Sequence, residues 1–133
     1  MTTQGTKKTI LVVDDDVDFL MQMRINLEDA GYNVVTAEGK KQAEELLATL
    51  HPDLAIVDLM MEHFDDGFSL AYHIKKQDSD LPIIIVTAVT SETGLEFDAA
   101  TEEERAWIKA DAFLAKPIRF EQLLREIKKL LKE

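Results

Sequence analysis

Polar residues that could bind a metal or a phosphate follow four short apolar runs of the sequence. They are Asp14 with Asp15, then Asp58, Thr87 and Lys116. Carboxylates that are brought close together repel one another, which costs free energy unless protons or a cation intervene. Mg²⁺ is the expected cation, because it prefers hard oxygen ligands and usually keeps positions for water and phosphate oxygens. If the fold brings these residues together, they form a site suited to phosphoryl transfer.

Each of these residue types has a defined part in phosphoryl transfer, where catalysis is mainly positioning and charge neutralisation. An aspartate can act as the nucleophile and form an acyl phosphate. A lysine supplies a mobile positive charge for the phosphoryl group, and a threonine hydroxyl supplies a hydrogen bond. The set therefore indicates a Mg²⁺-dependent phosphoryl site.

The elements that must position these residues can be read from the hydrophobic periodicity, which alternates between strand-like runs and helical spacing. Five strands are predicted, at 9–13, 33–37, 54–57, 83–86 and 112–115. Five helices are predicted, at about 16–30, 40–50, 68–77, 98–109 and 119–133. The first helix is expected to turn Phe19, Met23, Leu27 and Ala30 towards the core. The pattern predicts an α/β fold built from five strand–helix pairs.

The strands are continuous runs rich in Val, Ile and Leu, which is typical of a parallel sheet buried on both faces. Right-handed crossovers make such a sheet a doubly wound, three-layer sandwich. Ligands of these sheets bind at the carboxyl ends of the strands, where the polar residues fall. A length of 133 residues fits one domain, expected over 1–133 with its core at about 8–131.

Composition excludes several function classes. The formal net charge of −11 argues against direct binding to nucleic acid or to an anionic membrane. The absence of cysteine excludes a disulfide framework, a thiolate metal site and thiol catalysis. No apolar run approaches the roughly 20 residues of a membrane span, and no apolar segment resembles an export signal. We therefore expect a cytoplasmic protein.

Four motifs, ILVVDDD, IVDLMM, PIIIVTA and FLAKPI, resemble in this order the receiver domains of response regulators in two-component, phosphorelay signal transduction. The resemblance runs from about Lys8 to Leu131 and is nearest to the chemotaxis-regulator type. It implies a flavodoxin-like sheet with strand order 2-1-3-4-5. The initial methionine favours a stand-alone receiver, although a receiver excised from a longer regulator would look much the same.

The resemblance assigns the metal site and the phosphoacceptor residue by residue. Asp58 would accept a phosphoryl group from the phosphohistidine of a sensor histidine kinase or phosphotransfer protein, giving an aspartyl phosphate. Asp15 and Asp58 would bind Mg²⁺ directly, with the main-chain carbonyl of Met60, and Asp14 would act through metal-bound water. Mn²⁺ could replace Mg²⁺ at such a site.

The remaining assignments concern the switch between two conformations. Thr87 and the N–H group of Ala88 would bind phosphoryl oxygens, and Lys116 would pair with the phosphoryl group. Phe113 matches the switch aromatic, and the peptide bond between Lys116 and Pro117 would be cis. The output face would consist of the fourth helix, fifth strand and fifth helix and would control an unknown downstream protein. The chain would be a monomer or a phosphorylation-dependent homodimer, and it would catalyse only its own phosphorylation and dephosphorylation.

Two segments depart from the family pattern. Glu62 stands where proline is usual, and one residue is added before Gly67, so this loop is more acidic than in most members. The chain between Thr87 and Lys116 is also longer than usual, with an acidic segment at 89–104 and the single tryptophan, Trp107. This segment is either a specialised partner or dimer contact, or a solvated insertion.

Two apolar side chains bear on the lifetime of the phosphoryl group. Met60 and Val89 lie at positions that, in the family, tune hydrolysis of the acyl phosphate. Neither can orient an attacking water molecule, so we predict a phosphoryl group that persists longer than in members with polar residues there.

Two alternative functions stay open. The first is a pseudo-receiver that binds a partner and never uses phosphate, although the intact set of five polar residues weighs against it. The second is a Mg²⁺-dependent phosphatase or hydrolase with an aspartate nucleophile. Such an enzyme usually needs a cap or a larger substrate site, for which 133 residues leave little room.

Overall fold

The structure, a computed structural model, describes residues 7–59, 66–87 and 110–133, without the side chains of Asp66 and Phe68. Several predictions fall outside the described residues. They concern the fourth predicted helix, the roles of Met60, Ala88 and Val89, the loop around Glu62, and the acidic segment with Trp107.

Five strands and four helices are described. The strands are β1 (Thr9–Val13), β2 (Asn33–Ala37), β3 (Leu54–Asp58), β4 (Ile83–Thr87) and β5 (Ala112–Ala115). The helices are α1 (Val17–Asp29), α2 (Lys40–Leu47), α3 (Asp66–Gln77) and α4 (Phe120–Leu131), of which α4 is the fifth helix of the sequence prediction. The sheet has the order β2-β1-β3-β4-β5, and every pair of neighbouring strands is parallel. The predicted fold and strand order are confirmed.

The strand register aligns the carboxyl ends of the central strands. Val13 at the end of β1 lies opposite Val57, the residue before Asp58. Thr87 at the end of β4 lies opposite Ala115, the last residue of β5. The polar residues that follow or end these strands therefore lie along one edge of the sheet.

The core lies on both faces of the sheet, because successive strand residues point to opposite sides. One face packs against α1 and α4 through Ile10, Val12, Ile56, Ile84 and Val86, with Leu20, Met23, Leu27, Leu123 and Ile127 from the helices. The other face packs against α2 and α3 through Leu11, Val13, Val57, Ile83 and Ile85, with Ala43, Leu47, Leu70, Ala71 and Ile74. This burial on both faces explains the continuous apolar runs of the strands. None of the described helices is both long and apolar enough to cross a bilayer.

The bounds of the described helices differ from the prediction by at most three residues, and α1 and α2 differ in further detail. In α1 the buried residues are Leu20, Met23 and Leu27, whereas Phe19 is only partly buried. Ala30 is exposed, because the helix ends at Asp29 and Ala30 is its C-cap. The helix α2 ends at Leu47 and not at 50, and residues 48–49 form a turn. The apolar pattern continues because Leu50 still packs against the core.

Two aspartates fix the start of β3 and β5 by the same arrangement. The N–H group of Asp53 donates to the carbonyl of Thr9, and a side-chain oxygen of Asp53 accepts from the Thr9 N–H group. The same pair of bonds joins Asp111 to Ile83, with both distances 2.8 Å. Lys75 of α3 also binds the Asp111 carboxylate at 2.9 Å. These bonds join β1 to β3 and β4 to β5 at the amino-terminal ends of the strands, opposite the end that carries the site.

Candidate functional site

Three carboxylates meet at the carboxyl edge of the sheet. One oxygen from each of Asp14, Asp15 and Asp58 lies within 4.8 Å of the other two. Asp14 and Asp58 are buried and Asp15 is exposed, so the cluster opens to solvent on the Asp15 side. A donor set made only of carboxylate oxygens fits a hard divalent cation such as Mg²⁺ or Mn²⁺ and does not fit a thiolate-seeking metal.

The turn from β1 into α1 fixes the orientation of Asp14. Its Oδ1 atom accepts a hydrogen bond from the N–H group of Asp16 at 2.9 Å. Asp16 in turn is the N-cap of α1, and its Oδ1 atom accepts from the N–H groups of Asp18 and Phe19. The N-cap satisfies main-chain donors that have no partner within the helix. The start of α1 and the buried carboxylate of Asp14 therefore hold each other in place.

Lys116 reaches back from the end of β5 over the carboxylates. Its Nζ atom lies 2.9 Å from Asp14 Oδ2 and 3.8 Å from Asp58 Oδ1. Its main-chain N–H group donates to the carbonyl of Thr87 at 2.8 Å, which ties β5 to the end of β4. The peptide bond between Lys116 and Pro117 is cis, as expected. The lysine thus places one positive charge beside two buried carboxyl groups.

The electrostatics of the cluster favour a cation. Burial and the negative charges of Asp14 and Asp15 together raise the pKa of Asp58 to about 7, against the opposing charge of Lys116. Burial also raises the pKa of Asp14 above its usual value. A nearby positive charge favours the ionised form of a carboxyl group, so a divalent cation bound here would offset the cost of ionising Asp14 and Asp58.

Lys116 keeps its proton in this environment. Burial alone would lower the pKa of Lys116, but the hydrogen bond and charge of Asp14 and the charge of Asp58 raise it above its usual value. The lysine is therefore a permanent positive charge at neutral pH, available to an anionic group beside Asp58.

The remaining expected residues take these places. Thr87 is buried at the end of β4, directly after Val86, the register partner of Asp58. Phe113 of β5 is partly buried and packs on the face of the sheet that carries α2 and α3. The structure therefore gathers Asp14, Asp15, Asp58 and Lys116 into one cluster, with Thr87 on the neighbouring strand end.

Sequence reasoning missed the close approach of α3 to the end of β3. The N–H group of Gly67 donates to the carbonyl of Leu59 at 2.9 Å. A Cβ atom added at Gly67 would lie 2.5 Å from the main-chain oxygen of Asp58 and 2.5 Å from the Cα atom of Leu59. Only glycine fits here. The Asp-Gly pair before a helical pattern was a signal that could have indicated this contact.

Sequence reasoning also missed two residues at the start of α1. Asp16 received no role of its own from the sequence, yet it caps the helix, as its place before an apolar periodic segment could have indicated. Phe19 was assigned to the core, yet its ring centroid lies 4.6 Å from the Nζ atom of Lys116. That contact joins residues far apart in the sequence, and no local pattern indicates it.

Residues 10–128 match the family described as response regulator receiver domain. Among similar proteins, a probable transcriptional regulator, ycf27, of Cyanophora paradoxa is 34% identical over 95% of this chain and 49% of its own length. A heme response regulator, HssR, of Staphylococcus haemolyticus is 36% identical over 92% of this chain and 50% of its own length. The chain thus spans about half the length of the curated relatives it matches.

Solved structures agree with this assignment. A CheY-like receiver domain protein of Methanospirillum hungatei has a TM-score of 0.80 at 27% identity, covering 96% of this chain and 95% of that one. The response regulator TrrA of Thermotoga maritima, in complex with Mg²⁺-BeF, has a TM-score of 0.76 at 29% identity, covering 92% and 98%. By its matched residues, its parallel sheet and these similarities, the chain belongs to the family of response regulator receiver domains.

Proposed function

We propose that this chain is a phosphorylation-dependent switch whose acceptor is Asp58. The donor is the phosphohistidine of a sensor histidine kinase or phosphotransfer protein, and the reaction requires Mg²⁺. The observation that carries the proposal is the position of Asp58, a buried carboxylate grouped with Asp14 and Asp15 and 3.8 Å from the Lys116 ammonium group. Three neighbouring carboxylates with one lysine are costly to ionise, and a bound cation would offset that cost.

The chemistry follows from the roles of the residues. An Asp58 oxygen attacks phosphorus, the bond from phosphorus to the histidine nitrogen breaks, and an aspartyl phosphate forms. Asp15, Asp58 and the Met60 carbonyl would hold Mg²⁺, with Asp14 acting through water. When bound, Mg²⁺ neutralises charge on the phosphoryl oxygens and so lowers the barrier to transfer. Lys116 would leave Asp14 and pair with the phosphoryl group.

The consequence of phosphorylation is a shift between two conformations. Thr87 and the Ala88 N–H group would bind phosphoryl oxygens, and Phe113 would respond as the switch aromatic. The output face would include β5 and α4 with the predicted fourth helix, and it would control a downstream protein. The chain would act as one domain, 1–133, as a monomer or as a phosphorylation-dependent homodimer. It would catalyse only its own phosphorylation and dephosphorylation.

Similar proteins support parts of this proposal. The complex of TrrA with Mg²⁺-BeF supports Mg²⁺ as the cation of this fold's acidic cluster. The transcriptional regulator among the relatives is about twice as long as this chain. Its function belongs to that longer protein and is not part of this proposal.

The test uses acetyl phosphate as a small donor, together with Mg²⁺, and reads the intact mass within minutes. The parent protein should gain a single phosphoryl adduct. A chelator and the Asp58→Asn variant should each abolish it. The decay of the adduct then measures its persistence, which the apolar Met60 and Val89 predict to be long. A parent protein that gains no adduct would favour a pseudo-receiver and overturn the proposal.

A further inference from the structure

The ring of Phe19 lies against the lysine of the phosphoryl site. Its centroid is 4.6 Å from the Nζ atom of Lys116, within the range at which an ammonium group is attracted to the face of an aromatic ring. Phe19 belongs to the first turn of α1 and is partly buried. It packs against the core on the face of the sheet that carries α1 and α4. The contact therefore joins the first helix to the end of the fifth strand.

Four contacts form a closed cycle around this pair. Lys116 donates to Asp14 Oδ2 at 2.9 Å, and Asp14 Oδ1 accepts from the Asp16 N–H group at 2.9 Å. Asp16 Oδ1 accepts from the Phe19 N–H group at 3.2 Å, and the Phe19 ring returns to Lys116. The helix cap thus sets the position of the ring relative to the acidic cluster.

The contacts to Lys116 differ in how they respond when the site holds a cation or when Asp58 carries a phosphoryl group. Asp14 and Asp58 attract the lysine through their charge, which a bound cation or a phosphoryl group on Asp58 would change. The Phe19 ring has no titratable group, so its attraction persists when those charges change. The ring can therefore keep its contact with the lysine both with and without a bound cation or phosphoryl group.

Lys116 also has space to move away from the carboxylates. Lys116 and Phe19 both line a cavity of about 580 Å³ between α1 and the start of α4. A lysine side chain has four rotatable bonds and readily changes its direction when room is available. Movement of the ammonium group out of reach of the Phe19 ring would lose the contact between them.

We propose that Phe19 is a positioning residue that holds the Lys116 ammonium group over Asp58, so that it meets an incoming phosphoryl group. Phe19 acts through Lys116 and does not itself contact the phosphoryl group. The inference rests on the proposed function, in which Lys116 binds that group.

The experiment compares the parent protein with Phe19→Leu and Phe19→Tyr. Leucine keeps an apolar side chain and removes the aromatic face, whereas tyrosine keeps both. The first readout is the NMR shift of the Lys116 side-chain protons next to Nζ, which a nearby ring face moves upfield. That upfield shift should be present in the parent and in Phe19→Tyr and absent in Phe19→Leu.

The second readout is the rate of phosphorylation by acetyl phosphate with saturating Mg²⁺. Phe19→Leu should be slower by about 3- to 10-fold, equal to about 0.7 to 1.4 kcal/mol, the scale of a ring–ammonium contact. Phe19→Tyr should stay within about twofold of the parent. Acetyl phosphate needs no docking surface, so a loss of kinase contact cannot produce this result.

The outcomes separate the two proposals. If the parent gains no phosphoryl group, the proposed function fails and the role of Phe19 fails with it. If the parent is phosphorylated and Phe19→Leu reacts at the same rate, only the positioning role is overturned. The same holds if the Lys116 protons show no ring-dependent shift, because Phe19 is then only a packing residue.

Discussion

Lys116 forms a direct ion pair with Asp14, with its Nζ atom 2.9 Å from Asp14 Oδ2, across 102 positions of the sequence. The distance to Asp58, the proposed acceptor, is longer, at 3.8 Å. The ammonium group is therefore held beside the acceptor by a different carboxylate. This arrangement keeps a positive charge 3.8 Å from the proposed acceptor, while the shorter contact of the lysine is with Asp14.

Removing this lysine should destabilise the protein. Lys116→Met leaves the fully buried Asp14 carboxylate without its positive partner, and an unpaired buried charge is unfavourable. We expect the free energy of unfolding, measured by urea denaturation at pH 7 without Mg²⁺, to fall by about 1–3 kcal/mol. Lys129→Met, on an exposed position of α4, is the matched control and should change it by less than about 0.5 kcal/mol. Equal effects of the two variants would contradict the role of the ion pair.

The pH dependence of stability should reveal the environment of Asp58. Its pKa is raised from 3.8 to about 7, so the folded protein retains a proton that the unfolded chain has already lost. Stability is therefore lost as pH rises from about 4 to about 7. Relative to the parent, Asp58→Asn should gain roughly 2 to 4 kcal/mol across this window without Mg²⁺.

The control for this prediction is Asp80→Asn, which removes an exposed carboxylate. Between pH 4 and pH 7 the difference from the parent should change more for Asp58→Asn than for this control. Saturating Mg²⁺ should shrink the difference between Asp58→Asn and the parent, because the cation favours the ionised acceptor. A constant difference for Asp58→Asn would show that burial of this carboxylate has no energetic cost.

Mg²⁺ should stabilise the folded protein through Asp15. A ligand that binds only the folded state stabilises it by about 2.7 kcal/mol at a concentration 100 times its Kd. Asp15→Asn should remove most of this gain in thermal or urea unfolding, because the exposed carboxylate completes the cluster. Asp18→Asn changes another exposed aspartate near the start of α1 and should keep the gain. If both variants respond to Mg²⁺ as the parent does, the cation does not bind at this cluster.

Gly67→Ala should disturb the end of β3, which carries Asp58. The added methyl group would lie 2.5 Å from main-chain atoms of Asp58 and Leu59, which cannot move aside as a flexible side chain can. We expect a loss of about 1–3 kcal/mol in the free energy of unfolding, together with weaker Mg²⁺ binding by calorimetry. Gly39→Ala is the control, because a Cβ atom there meets nothing within 4 Å and the backbone is extended. A Gly67→Ala variant as stable as Gly39→Ala would argue against the close approach.

The fold could be predicted from the sequence because its signals are local. Apolar strand runs that stop at polar residues marked the strand ends to within one residue, and burial on both faces required a parallel sheet. Helix faces were less certain. Phe19 and Leu20 both fit the helical spacing with Met23 and Leu27, and only packing against the sheet selects Leu20.

The sequence predicts which residues form the site but not which of these residues pair with one another. Strand ends in a parallel sheet must share one edge, so Asp14, Asp58 and Lys116 could be grouped from the sequence alone. The choice of Asp14 as the partner of Lys116 depends on the difference between 2.9 Å and 3.8 Å, which only the packed strands determine. The contact of Phe19 with Lys116 likewise depends on where the capped first turn of α1 lies.

The most direct test of the central claim is chemical identification of the acceptor. The phosphorylated parent would be treated with borohydride, which reduces an acyl phosphate to an alcohol and converts the modified aspartate to homoserine. Peptide mapping should then find homoserine at position 58 alone, and only after reaction with acetyl phosphate and Mg²⁺. Homoserine at Asp14 or Asp15, or a phosphoryl group that borohydride does not remove, would contradict the assignment of Asp58 as the acceptor.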